Sequence, residues 1–169
     1  MTSSRHLKTS RLLLPPLTVE HTAALASIYA DPDVARFVGG DRLTKEAIEF
    51  QVSRFADEWS EKGYGQSAVL DRRSGAFLGR IGLHFWPAWN EIELGYVLGK
   101  EAQGKGIAFE GSVRWIEWAQ SQPDVTYLIA NIHPANAASI GLARKLGFAF
   151  DRDDTTPSGV PTLIYRLNL

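Results

Sequence analysis

Between Glu91 and Gln122 the chain changes period twice, and this stretch constrains the fold more than any other. Glu91-Ile-Glu-Leu-Gly-Tyr-Val-Leu98 alternates with period two, Gly99 to Gly106 is glycine-rich, and Ile107 to Gln122 reads as a helix ended by Pro123. A strand that runs into a glycine loop and then a helix makes a ready anion site. Glycines let the backbone approach, the helix-opening N–H groups point outward, and the helix dipole favours negative charge. The strand itself has two faces. Ile92, Leu94, Tyr96 and Leu98 look like core, whereas Glu91, Glu93, Gly95 and Val97 set two carboxylates beside a glycine, a face with room for a ligand.

The flanking sequence predicts a mixed domain. Arg11–Leu14 before Pro15-Pro16 is a short strand, Thr18 caps a helix through Ala30, and Asp31-Pro32 signals another helix start. A third helix follows Thr44, with Ile48, Val52, Phe55 and Trp59 spaced four, three and four, and Gly63 stops it. Gln66–Asp71 and Ala76–Phe85 read as two strands joined by a tight turn. Thr126–Ile132 is a buried-type strand, Asn136 caps a helix over Ala137–Leu146, and short strands at Phe148–Phe150 and Thr162–Leu167 finish the chain. This order predicts an α/β (α+β) fold, a mixed, largely antiparallel central sheet flanked by helices, because a doubly wound fold would alternate strand and helix throughout.

Length and composition narrow the function. With 169 residues and 44% hydrophobic content, residues 1–169 suit one domain, its core running from about residue 8 to 169. Eighteen basic against 19 acidic residues give a net charge of −1, no footprint for nucleic acid. No apolar run is long enough for a membrane span, and the start, Met-Thr-Ser-Ser-Arg-His, is no secretory signal, so a soluble cytoplasmic domain is expected. The absence of cysteine removes disulfides, thiolate metal sites and any cysteine acyl-enzyme.

Gly99-x-x-x-x-Gly104-Lys105 has the spacing of a phosphate-binding P-loop, but Gly106 stands where the magnesium-binding hydroxyl belongs. A second pattern needs three places in the chain. Gln103-Gly-Lys-Gly-Ile-Ala108 follows Glu93-Leu-Gly-Tyr-Val-Leu98; Asn136-Ala-Ala-Ser139 leads into Leu142-Ala-Arg-Lys-Leu-Gly-Phe148; and Ser10-Arg-Leu-Leu-Leu14 precedes Ile28-Tyr-Ala-Asp-Pro-Asp-Val34. Together these resemble the GNAT superfamily of acyl-CoA-dependent N-acetyltransferases from about residue 8 to the end. Within it, the chain is most similar to the branch of ribosomal-protein N-terminal acetyltransferases and their relatives.

The resemblance implies acetyl-CoA as donor, a primary amine as acceptor, no metal, and a splayed cofactor cleft between two parallel strands. It implies that the amides of Gln103, Gly104, Lys105, Gly106, Ile107 and Ala108 cradle the pyrophosphate, and that Val97 and Leu98 hold the pantetheine through their backbone. A backbone N–H near Leu98 would stabilise the oxyanion. Lys105 is either a phosphate neighbour or a solvated lysine. Asn136 is a helix cap and, by the resemblance, also a contact to the cofactor arm. The tyrosine acid of many relatives falls at Ala143 here, so Ser139 is the candidate acid.

A lysine amine with pKa near 10.4 costs roughly 4.6 kcal/mol to deprotonate at pH 7, and an α-amine near 7.7–8.0 only about 1–1.4. The base candidates are Glu93, Glu91 and His84. Trp86 and Trp89 either wall an acceptor pocket or cover a sheet edge, the helix near Asp31–Phe37 borders the acceptor side by resemblance, His133 precedes Pro134 near the cofactor loop, and His6 and His21 look like bystanders. The expected function is acetyl transfer to a primary amine, a protein or peptide N-terminus among the options, by direct attack in a ternary complex. The alternatives are a small-molecule acceptor (an amino acid, antibiotic or metabolite) and a non-catalytic acyl-CoA-binding module; a nucleotide hydrolase ranks below both. A homodimer is an option the sequence leaves open.

Overall fold

The computed structural model describes residues 6–169; the start of the chain, Met1–Arg5, lies outside the described residues. One eight-stranded sheet runs in the order β1-β2-β3-β4-β5-β6-β8-β7. Its strands are β1 (Leu7–Lys8), β2 (Leu12–Leu14), β3 (Gln66–Asp71), β4 (Phe77–Trp86), β5 (Glu91–Leu98), β6 (Tyr127–Ile132), β7 (Ala149–Thr155) and β8 (Pro161–Asn168). The helices are α1 (Thr22–Tyr29), α2 (Pro32–Ala35), α3 (Lys45–Lys62), α4 (Ile107–Gln120) and α5 (Ala137–Lys145). All neighbouring strands are antiparallel except β5 and β6. The expected mixed, largely antiparallel sheet is present.

β5 and β6 run parallel and share a single register pair, Glu93 with Ile129. Each is fully paired on its other side, β5 with β4 and β6 with β8. Beyond Glu93 and Ile129 the two strands part, and the sheet opens into the expected V.

The two sheet faces carry different cores. On one, Trp115, Ile116 and Ala119 of α4 and Ala143 of α5 pack on Leu83, Leu94, Leu98, Leu128 and Ala130. On the other, Leu25 and Tyr29 of α1 and Ile48, Val52 and Phe55 of α3 pack on Ala68 and Val97. The stripe spaced four, three and four on α3 is buried as its period requires, and Thr44 and Gly63 cap it, Gly63 at φ 77°.

Three local expectations change. The first helix is split, Val19–His21 being a 3-10 turn in which His21 Nδ1 accepts the N–H of Thr18 at 2.9 Å. The hairpin strand β1 adds an edge next to β2. The polar run Asp151–Thr155 is strand and not loop, since Arg152 bonds Asp151, Asp154 and Glu91 and charged residues suit an edge strand.

Candidate active site

A 3-10 turn, Lys100–Ala102, leads from β5 to Gln103, and Gly104 and Gly106 then adopt φ of 72° and 76°. A side chain there costs roughly 1–2 kcal/mol. A Cβ on Gly104 would meet nothing within 4 Å, so conformation and not crowding demands glycine. α4 begins at Ile107 with Gly106 as its cap residue and no side chain capping it. Its opening N–H groups, at the positive end of the dipole, suit an anion. Lys105 is exposed beside them, Ile107 is buried and Ala108 half-buried.

Two residues brace this loop from behind. Arg11 donates from Nη1 to the Lys105 carbonyl at 2.9 Å and from Nε to Glu110 at 2.6 Å. Glu110 also accepts from the Thr9 hydroxyl and the Arg11 N–H, at 2.5 and 3.0 Å. The sequence alone assigns Arg11 and Glu110 no role. Their only signal is a charge pair 99 positions apart.

At the V itself, Gly99 N–H donates to the Leu78 carbonyl at 2.9 Å, which fixes the alternation of β5. Val97 therefore turns its peptide groups to β4, and Leu98 turns its own to the gap. Of the two expected backbone contacts, only Leu98 faces the gap; the Val97 side chain is buried under α1 and α3. The Leu98 carbonyl already accepts from Gln103 Nε2 at 3.1 Å, leaving its N–H for a ligand.

Across the gap, Asn136 Oδ1 caps α5 by accepting from Ser139 N–H at 3.2 Å. Ser139 Oγ lies 2.8 Å from the Tyr96 hydroxyl, so a strand residue assigned to the core brings a second hydroxyl to the candidate acid. Burial raises the pKa of Tyr96, partly offset by its bond to Ser139, and keeps the phenol protonated. Ala143 is buried in the core. α2 lies over the mouth: Asp33 pairs with Lys100 at 2.9 Å, and Phe37 packs on His133 at 5.3 Å between ring centres.

The opposite face is polar. His84 of β4 stands directly across from Glu93 of β5, at the apex of the V. Burial raises the Glu93 pKa, against the pull of His84, the Trp86 indole, Arg80 and the Asn131 N–H. Trp86 Nε1 is buried and lies near enough to Glu93 to favour the carboxylate. Arg80, 7% exposed, donates to the Tyr29 hydroxyl at 2.9 Å and to Gln66 Oε1 at 2.8 Å. Glu58 of α3 bonds His84 Nδ1 at 2.9 Å. Sequence reading missed Glu58, Arg80 and Gln66 because nothing local marks them.

Glu91 is not free to act as a base. Arg152 donates to it at 2.5 Å and Tyr127 at 2.9 Å, so it ties β5 to β6 and β7. Trp89 packs on Trp86 at 5.0 Å, at the entrance to this face. A groove of about 570 Å³ between α1 and α3 lies elsewhere and includes none of these residues but Tyr29. Among the described residues no cluster of His, Cys, Asp or Glu is arranged to hold a metal, and no helix is long and apolar enough to cross a membrane.

Three comparisons bear on this arrangement. The model of the acetyltransferase (GNAT) domain matches residues 11–149. An uncharacterized protein of Bacillus subtilis, YkkB, is 29% identical over 160 residues, covering 90% of each chain. An acetyltransferase from Agrobacterium tumefaciens superposes with a TM-score of 0.88 at 27% identity, over 100% of this chain and 97% of that one. RimL, a ribosomal L7/L12 α-N-protein acetyltransferase in complex with coenzyme A, shares the fold with a TM-score of 0.77 at 16% identity, over 97% of this chain and 98% of its own.

Proposed function

The chain belongs to the GNAT acetyltransferases, and on that premise we propose that it moves the acetyl group of acetyl-CoA to the α-amine of a peptide or protein N-terminus. The parting of β5 and β6 after Glu93 and Ile129 carries this reading. An uncapped helix with two left-handed glycines lies on one side of the opening, and a carboxylate with an imidazole on the other.

The amides from Gln103 to Ala108 would receive the pyrophosphate, with Lys105 adding charge, and Asn136 would meet the pantetheine arm beyond its capping bond. The N–H of Leu98 faces the gap and suits the thioester oxygen, whose developing charge it would stabilise. The neutral amine attacks the thioester carbon; the new C–N bond forms, the nitrogen loses its proton to the Glu93–His84 pair, and the C–S bond breaks. Ser139, hydrogen-bonded to Tyr96, donates toward the departing sulfur, CoA leaves as the thiol, and solvent returns a proton to Ser139 as the Glu93–His84 pair releases its own. With no cysteine in the chain, attack in a ternary complex needs no acyl-enzyme.

An α-amine supports a modest base, since its deprotonation at pH 7 costs several kcal/mol less than that of a lysine. The activity named for RimL points the same way. The test is calorimetric titration of acetyl-CoA into the wild type and Gly106→Glu, followed by thiol release with a panel. That panel holds peptides with free and formylated N-termini, free amino acids, lysine side chains and aminoglycosides. Release only with free peptide N-termini is the expected result. Release with a small amine alone replaces the acceptor, and binding without release marks a non-catalytic module.

A further inference from the structure

Resting on the acetyl-transfer reading, we infer that Glu58 is a positioning residue that holds His84 with its hydrogen on Nδ1, leaving Nε2 as the atom that takes the acceptor's proton. The argument begins on α3. Glu58 lies between Phe55 and Trp59 on the buried side of the helix and is 5% exposed. A buried carboxyl is tolerable only when hydrogen bonds replace its water. Both oxygens are engaged: Oε1 accepts the backbone N–H of Phe85 at 2.6 Å, and Oε2 meets His84 Nδ1 at 2.9 Å.

With Glu58 ionised, these two bonds set the tautomer. A backbone N–H only donates, and a carboxylate only accepts, so the hydrogen between Glu58 and the ring belongs to Nδ1. In the neutral ring Nε2 then carries the lone pair. The ring is also held in place. Phe55 and Trp86 meet it edge-on, with centroids 5.5 and 5.0 Å away. Its side chain is 25% exposed, against 7% for Glu58, so solvent reaches the ring but hardly reaches the carboxylate behind it.

The neighbours suit an imidazolium. Glu58 lies on one side of His84, and Glu93 faces it across the β4–β5 pair. In the step proposed, the attacking amine forms its bond to the acetyl carbon and passes a proton to Nε2. The sulfur leaves and is protonated by solvent or by Ser139, which solvent reprotonates, and Nε2 returns its proton to water. An ionised Glu93, facing the ring across the β4–β5 pair, balances the charge. Among the described residues this is the carboxylate–imidazole contact of the site, and it joins a helix to a strand 26 positions away in sequence.

Glu58→Gln makes the inference testable, because it keeps the shape and changes the hydrogen bonding. Its single oxygen stays on the Phe85 N–H, and its amide NH2 turns to Nδ1, which must now accept. The hydrogen moves to Nε2. Long-range 1H–15N correlation spectra of protein labelled at histidine, at alkaline pH and with His84→Gln for assignment, read this directly. The wild type is expected to show a protonated Nδ1 and a bare Nε2, and Glu58→Gln the reverse. With a peptide acceptor found in the panel above, Glu58→Gln should lower kcat about 10- to 100-fold and His84→Gln about 100-fold or more. Calorimetric binding of acetyl-CoA should hold in both.

A wild-type His84 protonated on Nε2, or a Glu58→Gln variant with an unchanged tautomer, overturns the positioning role. Unchanged kcat in His84→Gln overturns the assignment of the base. Should the wild type turn over no amine at all, the acetyl-transfer reading fails and takes the base assignment with it, while the spectra still decide whether Glu58 sets the ring.

Discussion

The two faces of the sheet present their polar groups by opposite means. On the α4 side these groups are backbone: helix-opening N–H groups, two glycines at positive φ and the peptide of Leu98, over an apolar core that includes Trp115. On the α3 side they are side chains from separate elements, Glu58, Arg80, His84 and Glu93. Backbone geometry can be kept while the sequence drifts, which suits a ligand shared by a whole family. A face made of side chains changes with every substitution, which suits an acceptor that differs between members.

The largest effect should break the apolar face. Trp115 is fully buried, and Trp115→Ala should cost about 3–5 kcal/mol in denaturant unfolding. A loss below about 1 kcal/mol would show that α4 is not supported as described. Next comes the glycine loop. Gly106→Glu should weaken acetyl-CoA binding about 100-fold or more, roughly 2.7 kcal/mol, by calorimetry. The His84 tautomer should not change, because Gly106 and His84 belong to different faces and share no contact.

At the boundary between the faces, Ser139→Ala should reduce kcat about tenfold, and Tyr96→Phe less, since the serine hydroxyl remains in place. A larger loss from Tyr96→Phe would make the phenol the donor to sulfur. The polar face has its own signature in pH. Burial raises Glu93 above its ordinary value of 4.5, so the folded state binds this proton more tightly than the unfolded chain does. Its contribution to stability is complete below 4.5 and is lost as pH rises through the raised value. Relative to wild type, Glu93→Gln should therefore gain stability as pH climbs over that interval and then level off; a flat difference in unfolding free energy would contradict the burial. The smallest effect belongs to the exposed pair of Lys100 and Asp33, and Lys100→Gln should leave the melting temperature unchanged.

The sequence revealed the two faces unequally, for the same physical reason that separates them. Period and punctuation are local, so the alternation of β5, the glycines at 104 and 106, the Asn136 cap and the stripe on α3 could all be read in order. Glu93 was legible because alternation places it on the ligand face. Glu58 was not, because its neighbours spell an ordinary helix and its partners lie 26 and 27 positions away. Glu91 resembled Glu93 by alternation, and only the distant Arg152 tells them apart. The strand β7 was hidden behind charges that its pairing with β8 accommodates at an edge.

The single rung between β5 and β6 has a mechanical consequence. It leaves a seam through the sheet, with β1–β5 on one bank and β6–β8 on the other. Glu91, bonded to Tyr127 and Arg152, rivets the closed end, while at the other end Leu98 and Asn131 turn their peptide edges to the gap without bonding each other. A ligand threaded there would replace the missing rungs and bind the two banks into one continuous sheet. Acetyl-CoA should then slow amide hydrogen exchange on both sides of the seam at once, most at its open end, and raise the temperature at which the banks come apart.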